Sequence, residues 1–304
     1  MGKDITKNLV GQPIFKQIIK MLPREQFDIL VKQCGSDRYY KTLFSWEQLM
    51  IMLFGIFSRC DSMGEVCDGM RALSGKLSYL GMDCAPSKST AGDGLRDRSE
   101  ELFRLYYFAL IAYFRPLLSV SRKEKVSFEE FYAFDSTTIT LFSQVMKGVG
   151  RDPKGDGKKK GGLKVHMLTD VHADTAIFAK ISEAKMHDKK FLAHLNPGKG
   201  SMLVFDKAYN FYQQFAQWTE EGVNFVCRLK DNAKVQLQEV LFEKTLQKEE
   251  SGVYKVEHIH LEYKKDKRPE ILCLRLVYYK DEQGRKYKFI TNNWEISPEE
   301  VALI

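Results

Sequence analysis

The chain has 304 residues, of which 44% are hydrophobic and 29% charged, which excludes a disordered polymer and provides enough apolar side chains for a core in two or three modules. Its formal net charge of +7 favours a polyanionic partner, although many proteins of this charge bind no nucleic acid. The six cysteines lie far apart, without the Cys-x-x-Cys spacing of zinc ribbons and redox pairs, which is typical of reduced cytosolic thiols.

The sequence predicts neither a signal peptide nor a membrane span. No basic start is followed by an apolar stretch and a cleavage site. The apolar run at residues 49–57 is short, and the run at residues 102–118 contains Arg104 and Arg115, whereas a span needs about 18 uninterrupted apolar residues. We therefore predict a cytoplasmic protein with no membrane partner.

Residues 1–120 are predicted to form an all-helical N-terminal domain. Their apolar side chains recur at helical spacing, for example at Phe15, Ile18, Ile19 and Leu22. Within this domain, the stretch Pro86-Ser87-Lys88-Ser89-Thr90 is typical of a capped helix start, and the helix would carry Arg96 and Arg98. Hydroxyls followed by arginines suit phosphate contact, but an ordinary solvated helix has the same pattern, so DNA binding by this domain stays open.

Residues 121–304 show short β-like runs, which predict an α/β domain with a mixed sheet covered by helices. The predicted strands lie at residues 128–142, 163–171, 176–183, 202–205 and 225–229, and the predicted helices at residues 188–195 and 210–221. Residues 231–293 form a second, charge-rich β segment. Its late position favours a β-rich insertion into the α/β domain.

Two aspartates interrupt apolar strands. Asp135 lies within a β-branched run, and Asp206 ends a short buried strand, where ligand-binding groups of α/β sheets gather. Two carboxylates from neighbouring strands repel each other unless a cation lies between them, and an all-oxygen site favours Mg²⁺ or Mn²⁺. Such ions can activate a nucleophilic oxygen and stabilise a leaving one in phosphodiester displacement. For either aspartate alone, a turn or cap role is the alternative.

The two aspartate segments, YAFDSTTI and VFDKAYN, resemble the first and second catalytic blocks of IS4-type insertion-sequence transposases of the DDE superfamily. The resemblance extends to KGGLKVH at residues 160–166, to FVCRLK at residues 225–230, and to a helical leader domain through GQPIF at residues 11–15. It implies an RNase H-like sheet with Asp135 and Asp206 as catalytic metal ligands. It also implies Mg²⁺-dependent cleavage and joining of double-stranded DNA at terminal inverted repeats, and it is compatible with a homodimer on the DNA.

The third acidic ligand of this family lies on a helix with a tyrosine, an arginine, a glutamate and a lysine at fixed spacing. Residues 294–301 resemble the helix before it and the sequence ends at Ile304, so the resemblance places that glutamate beyond the last residue. Glu299 and Glu300 are explained as first-turn acids of a capped helix. The expectation is a transposase by descent that is shortened at its C-terminus. Its alternatives are an inactive DNA-binding remnant and another RNase H-like metal-dependent nuclease.

A glycine-rich basic segment at residues 147–164 is predicted to contact the DNA backbone through Lys158, Lys159, Lys160 and Lys164. By resemblance, Arg228 and Lys230 also face DNA. A solvated loop and ordinary strand-edge solubility explain these residues equally well. The segment lacks a Walker A pattern. None of the six histidines has zinc-finger spacing, and His258 and His260, which alternate on one strand, are assigned to interior or surface roles.

Overall fold

A computed structural model describes residues 14–73, 75–118, 128–140, 162–184, 191–247 and 250–304. The chain divides into two compact units, Met1–Leu117 and Leu118–Ile304. No described helix is both long and apolar enough to cross a membrane.

The regular elements described in the N-terminal unit are helices. They are α1 (Ile14–Met21), α2 (Arg24–Cys34), α3 (Ser45–Phe57), α4 (Met63–Ala72), α5 (Lys88–Asp97) and α6 (Glu101–Leu118). Hydroxyl caps begin two of them, since Ser62 accepts a hydrogen bond from the Glu65 amide at 3.2 Å and Ser87 accepts one from the Thr90 amide at 3.1 Å. The cap predicted at the start of α5 is therefore confirmed, and each such cap contributes about 1 kcal/mol.

Aromatic rings form the centre of this unit. The fully buried Phe27 ring packs edge-on against Trp46 and Tyr106, with ring centroids 5.3 Å and 4.9 Å away. The Trp46 indole donates its Nε1 hydrogen to the Leu80 carbonyl at 2.9 Å, which satisfies its polar atom inside the core.

The second unit contains one mixed sheet with the strand order β3-β2-β1-β4-β5-β9-β8-β7-β6. The strands are β1 (Phe131–Thr140), β2 (Gly162–Asp170), β3 (Thr175–Glu183), β4 (Met202–Phe205), β5 (Asn224–Arg228), β6 (Val235–Glu243), β7 (Gly252–Lys265), β8 (Arg268–Lys280) and β9 (Lys286–Thr291). The two described helices are α7 (Tyr212–Glu221) and α8 (Pro298–Leu303). The α/β architecture with a mixed sheet is confirmed. The pairs β1–β4 and β4–β5 are parallel, and the other pairs are antiparallel.

One detail differs from the sequence prediction. In the region predicted as a helix at residues 188–195, the described part contains a 3₁₀ turn, Leu192–His194. The β-rich segment predicted as an insertion at residues 231–293 extends the α/β sheet, because β9 pairs with β5 and joins β6, β7 and β8 to it.

The two faces of the sheet carry separate apolar clusters. On the α7 face, Phe205 and Phe225 pack with Phe215 and Trp218 of the helix. On the α8 face, Val226 and Val277 cluster with Val301. Side chains alternate between faces along a strand, so these clusters fix which residues of each strand point to which side. Burial of each such side chain contributes roughly 1.5–3 kcal/mol.

A two-residue turn joins β7 to β8. Lys265 pairs with Arg268, and the residues between them, Asp266 and Lys267, have φ angles of 50° and 67°. Positive φ at both central positions is the type I′ geometry, which matches the twist of antiparallel strands.

Candidate active site

The two predicted aspartates lie next to each other where β4 ends. In the parallel register of β1 and β4, Phe134 pairs with Phe205. Asp135 is the next residue of β1, and Asp206 directly follows β4. Neighbouring strands are about 4.8 Å apart. Asp206 continues the extended backbone, with φ −77° and ψ 163°, so the alternation persists through it. Because Phe134 and Phe205 belong to the cluster on the α7 face, both carboxylates project on the α8 face, where they are exposed.

Arg228 extends this pair to a row of three charged residues. The parallel register of β4 and β5 pairs Phe205 with Cys227, so Arg228 lies beside Asp206. The Arg228 guanidinium lies 5.0 Å from the centroid of the Tyr287 ring on β9. The row therefore places two anionic groups next to one cation, an arrangement that can hold a metal ion and a phosphate side by side.

The backbone at Asp206 is fixed by a short turn. Asp206 precedes the 3₁₀ turn Lys207–Tyr209, and its carbonyl accepts a hydrogen bond from the Tyr209 amide at 3.1 Å. The buried Tyr209 ring packs edge-on against Phe134, with centroids 4.5 Å apart. The turn after one aspartate thus packs directly on the strand of the other.

Asn210 joins the same turn to the end of β5. Its amide nitrogen donates to the Arg228 carbonyl at 3.0 Å and to Cys227 Sγ at 3.2 Å, and its Oδ1 accepts from the Lys230 amide at 3.4 Å. No role of Asn210 was predicted from the sequence. The available signal was its position at the end of the VFDKAYN block.

Cys227 lies beneath this row and is buried. Burial raises the pKa of its thiol far above the ordinary value, the Asn210 hydrogen bond opposes that effect, and the Asp206 carboxylate adds to it. The thiolate is the nucleophilic and metal-binding form of cysteine, so burial that disfavours the thiolate makes Cys227 poorly suited to either role.

An exposed ion pair that the sequence did not predict borders Asp206. The Lys207 ammonium lies 3.2 Å from Oδ2 of Asp231. The hydrogen bond from Lys207 lowers the pKa of the Asp231 carboxyl. Asp231 therefore carries its charge at neutral pH, close to the end of β5.

The Asp135 carboxylate accepts a hydrogen bond from the Ser136 amide at 2.7 Å, which restricts its rotation.

At the start of α8, Glu300 forms a capping box with Ser297. The Ser297 hydroxyl accepts from the Glu300 amide at 3.1 Å, and the Glu300 carboxylate accepts from the Ser297 amide at 2.8 Å. The helix-start explanation of Glu300 is thus confirmed.

The predicted DNA-binding residues are distributed unevenly. Arg228 lies in the row with the aspartates, and Lys230 follows it by two positions. Lys164 pairs with Thr138 on β1, and the alternation directs its side chain to the α7 face, away from Asp135. Lys158, Lys159 and Lys160 lie outside the described residues.

Arg96 and Arg98, the two arginines of the predicted phosphate-contacting helix, differ in their availability. Arg98 is buried, donates to the Gln48 side chain and the Leu43 carbonyl, and lies 3.7 Å from Asp37. The hypothesis that it contacts phosphate is therefore wrong, because its donors serve the core. Arg96 is exposed and forms ion pairs of 3.0 Å with Asp93 and 2.8 Å with Asp97.

Comparisons with known proteins identify both parts of the chain. Residues 126–304, more than half of the chain, match the family model described as a transposase DDE domain. Residues 10–83 match a domain of unknown function named DUF4372. No curated protein matches the chain. Among solved structures, endonuclease V of Bacillus subtilis is 9% identical with a TM-score of 0.25, and the alignment covers 67% of this chain and 81% of that chain. A similarity this low supports no conclusion.

Proposed function

Because the chain belongs to the DDE transposase family, we propose that Asp135 and Asp206 bind Mg²⁺ or Mn²⁺ for DNA cleavage and strand transfer at the inverted-repeat ends of an IS4-type insertion sequence. The family implies a DNA substrate, and DDE domains typically use a divalent metal. The assignment of Asp135 and Asp206 as the metal ligands rests on the site described above.

The observation that carries this proposal is the register of β1 and β4. It supports a shared site because the two exposed residues directly continue the pair Phe134 and Phe205 on neighbouring strands, whose backbones are about 4.8 Å apart, and their side chains share one face of the sheet. Carboxylate oxygens are the ligands that Mg²⁺ and Mn²⁺ prefer, so the donor set fits the ion. When bound, such ions stabilise charge on the attacking and leaving oxygens of a phosphodiester.

The residues of the chain have distinct proposed roles around that centre. Asp135 and Asp206 would hold the divalent ions, Asp135 as a ligand of both and Asp206 as a ligand of one, and the ions would stabilise charge on the phosphodiester. Asn210 holds the turn that orients Asp206. Arg228, together with Lys230 and the basic residues Lys158, Lys159 and Lys160, contacts DNA phosphates, which provides affinity that is independent of sequence and falls with salt, whereas Lys164 lies on the opposite face and has no role at this centre.

We further propose an RNase H-like core, which the mixed half-sheet β3-β2-β1-β4-β5 supports because the two aspartates lie on its central pair of strands. The family resemblance assigns a third carboxylate to a later helix. In the described part of the chain, no third metal-binding side chain is grouped with Asp135 and Asp206. Two ligands should bind the ion more weakly than three, and we propose that strand transfer requires the third carboxylate. We also propose that the protein binds DNA as a homodimer.

The proposal is tested by measuring Mn²⁺ binding to the wild-type chain and to Asp135→Asn and Asp206→Asn. We expect each substitution to weaken binding by about tenfold or more, because each removes a charged ligand. Asp174→Asn is the matched control: Asp174 is exposed, lies in the β2–β3 turn, and has a φ of 53° that asparagine tolerates. Binding that is the same in all four proteins would contradict a shared site.

A further inference from the structure

The hairpin of β7 and β8 carries a second group of metal-binding side chains. His258 and His260 are two positions apart on β7, and Cys273 on β8 is the register partner of His260. Their ligand atoms all lie within 4.8 Å of one another. We propose that His258, His260 and Cys273 form a Zn²⁺ site, distinct from the site at Asp135 and Asp206.

The donor set selects the metal. Two imidazoles and one thiolate suit Zn²⁺, whereas Mg²⁺ and Mn²⁺ prefer oxygen ligands. Around tetrahedral Zn²⁺, with bonds of about 2.0–2.3 Å, neighbouring ligand atoms are about 3.5 Å apart. The three ligand atoms can therefore converge on one ion through small rotations of their side chains, without movement of the strands. Three protein ligands leave the fourth position to water or another small donor.

The alternation of β7 and β8 directs the three side chains to one face. His258 and His260 share the parity of Val256, which belongs to the cluster on the α8 face, so the group lies on that face. The His258 ring packs edge-on against the His260 ring at 5.3 Å and against Trp294 at 5.2 Å. The aromatic contacts restrict the His258 ring before any ion binds, which lowers the entropic cost of ligation.

Charges around the group partly balance. The register partners of His258 are Glu239 on β6 and Arg275 on β8. The buried Arg275 guanidinium donates to the Ile296 carbonyl at 2.7 Å. Its positive charge opposes cation binding, whereas the Glu239 carboxylate and the Cys273 thiolate formed on binding favour it.

The two proposed sites are far apart. Strands β5, β9 and β8 lie between β4 and β7, so the histidine and cysteine group is roughly 20 Å from Asp206 at the usual strand spacing. The sites also prefer different ions. Each can consequently be tested without the other, and the Zn²⁺ proposal does not depend on the transposase activity.

The test begins with the full chain freed of metal by a chelator and titrated with Zn²⁺, and separately with Co²⁺ as a spectroscopic substitute. We expect one ion per chain and a near-ultraviolet charge-transfer band from the cobalt–sulfur bond. Cys273→Ser should abolish that band, and His258→Gln and His260→Gln should each weaken Zn²⁺ binding about tenfold or more. The exposed Cys84 supplies the matched control, because Cys84→Ser should change neither result.

Two further measurements keep the proposal refutable. Circular dichroism of the metal-free variants should match the wild type, since Cys273 is exposed and its replacement leaves the core intact. The double variant Asp135→Asn/Asp206→Asn should keep full Zn²⁺ affinity. Loss of Zn²⁺ binding in that double variant, or an unchanged cobalt band in Cys273→Ser, would overturn the proposal.

Discussion

Replacement of Asn210 by alanine should loosen the ends of β4 and β5 and weaken metal binding at Asp206. The substitution removes the 3.0 Å hydrogen bond to the Arg228 carbonyl and leaves that partly buried carbonyl with a weaker 3.4 Å hydrogen bond from the Cys227 thiol. A bond of this kind contributes about 1 kcal/mol, and the poorer pairing of the acceptor adds to the loss. The contact of 3.2 Å to Cys227 Sγ and that of 3.4 Å from the Lys230 amide are weak and add little. We expect a loss of about 1–2 kcal/mol in local stability.

Hydrogen exchange with mass spectrometry measures this loss directly, because peptides covering residues 202–228 report the opening free energy of β4 and β5. Manganese titration of the same variant should show affinity reduced by about tenfold, as for other residues that orient metal ligands. Gln217→Ala removes an amide whose 2.8 Å bond to Glu221 is exposed, and it should change either quantity little. If Asn210→Ala behaves like Gln217→Ala, then Asn210 does not position the site.

Three other predictions follow from single residues. Arg228→Gln should weaken binding to duplex DNA of any sequence and reduce the slope of log affinity against log salt by about one, as measured by fluorescence anisotropy; an unchanged slope would exclude a phosphate contact. Burial raises the pKa of Tyr106 to about 12. The contribution of Tyr106 to stability is therefore complete below its ordinary pKa of 10 and is lost as pH rises towards 12. Tyr106→Phe should remove that alkaline destabilisation in urea titrations. Lys267→Gly should raise the free energy of unfolding by about 1 kcal/mol, because its φ of 67° is unfavourable for a side chain, and a lower midpoint in urea would contradict this explanation.

Local patterns in the sequence predicted the strands around the aspartates, because alternation of apolar residues reports which side of a strand is buried. Such patterns do not report which strand is the neighbour. The pairing of Phe134 with Phe205 and the pairing of β9 with β5 join residues distant in sequence. The β-rich segment at residues 231–293 was therefore predicted as an insertion from its position alone, and the pairing adds that the sheet is continuous through it.

Long-range packing also explains the other differences. Arg98 follows a typical solvated helix, yet its guanidinium bonds with Gln48, fifty positions away, and this burial has no local signal. The group of His258, His260 and Cys273 was missed for a similar reason. Zinc motifs have fixed spacings within one segment, whereas ligands on paired strands are brought together by the register of the hairpin.

The segment of β6 to β9 has a consequence for the solubility of the sheet. Without it, the apolar strand β5 would present unpaired backbone groups at an open border, a template for adding strands from other molecules. The pairs of Val226 with Thr291 and Cys227 with Ile290 close that border. The segment therefore moves the aggregation hazard outward to β6, which retains exposed Leu237, Val240 and Phe242. A chain with this segment deleted should aggregate through β5 even if the remaining strands fold.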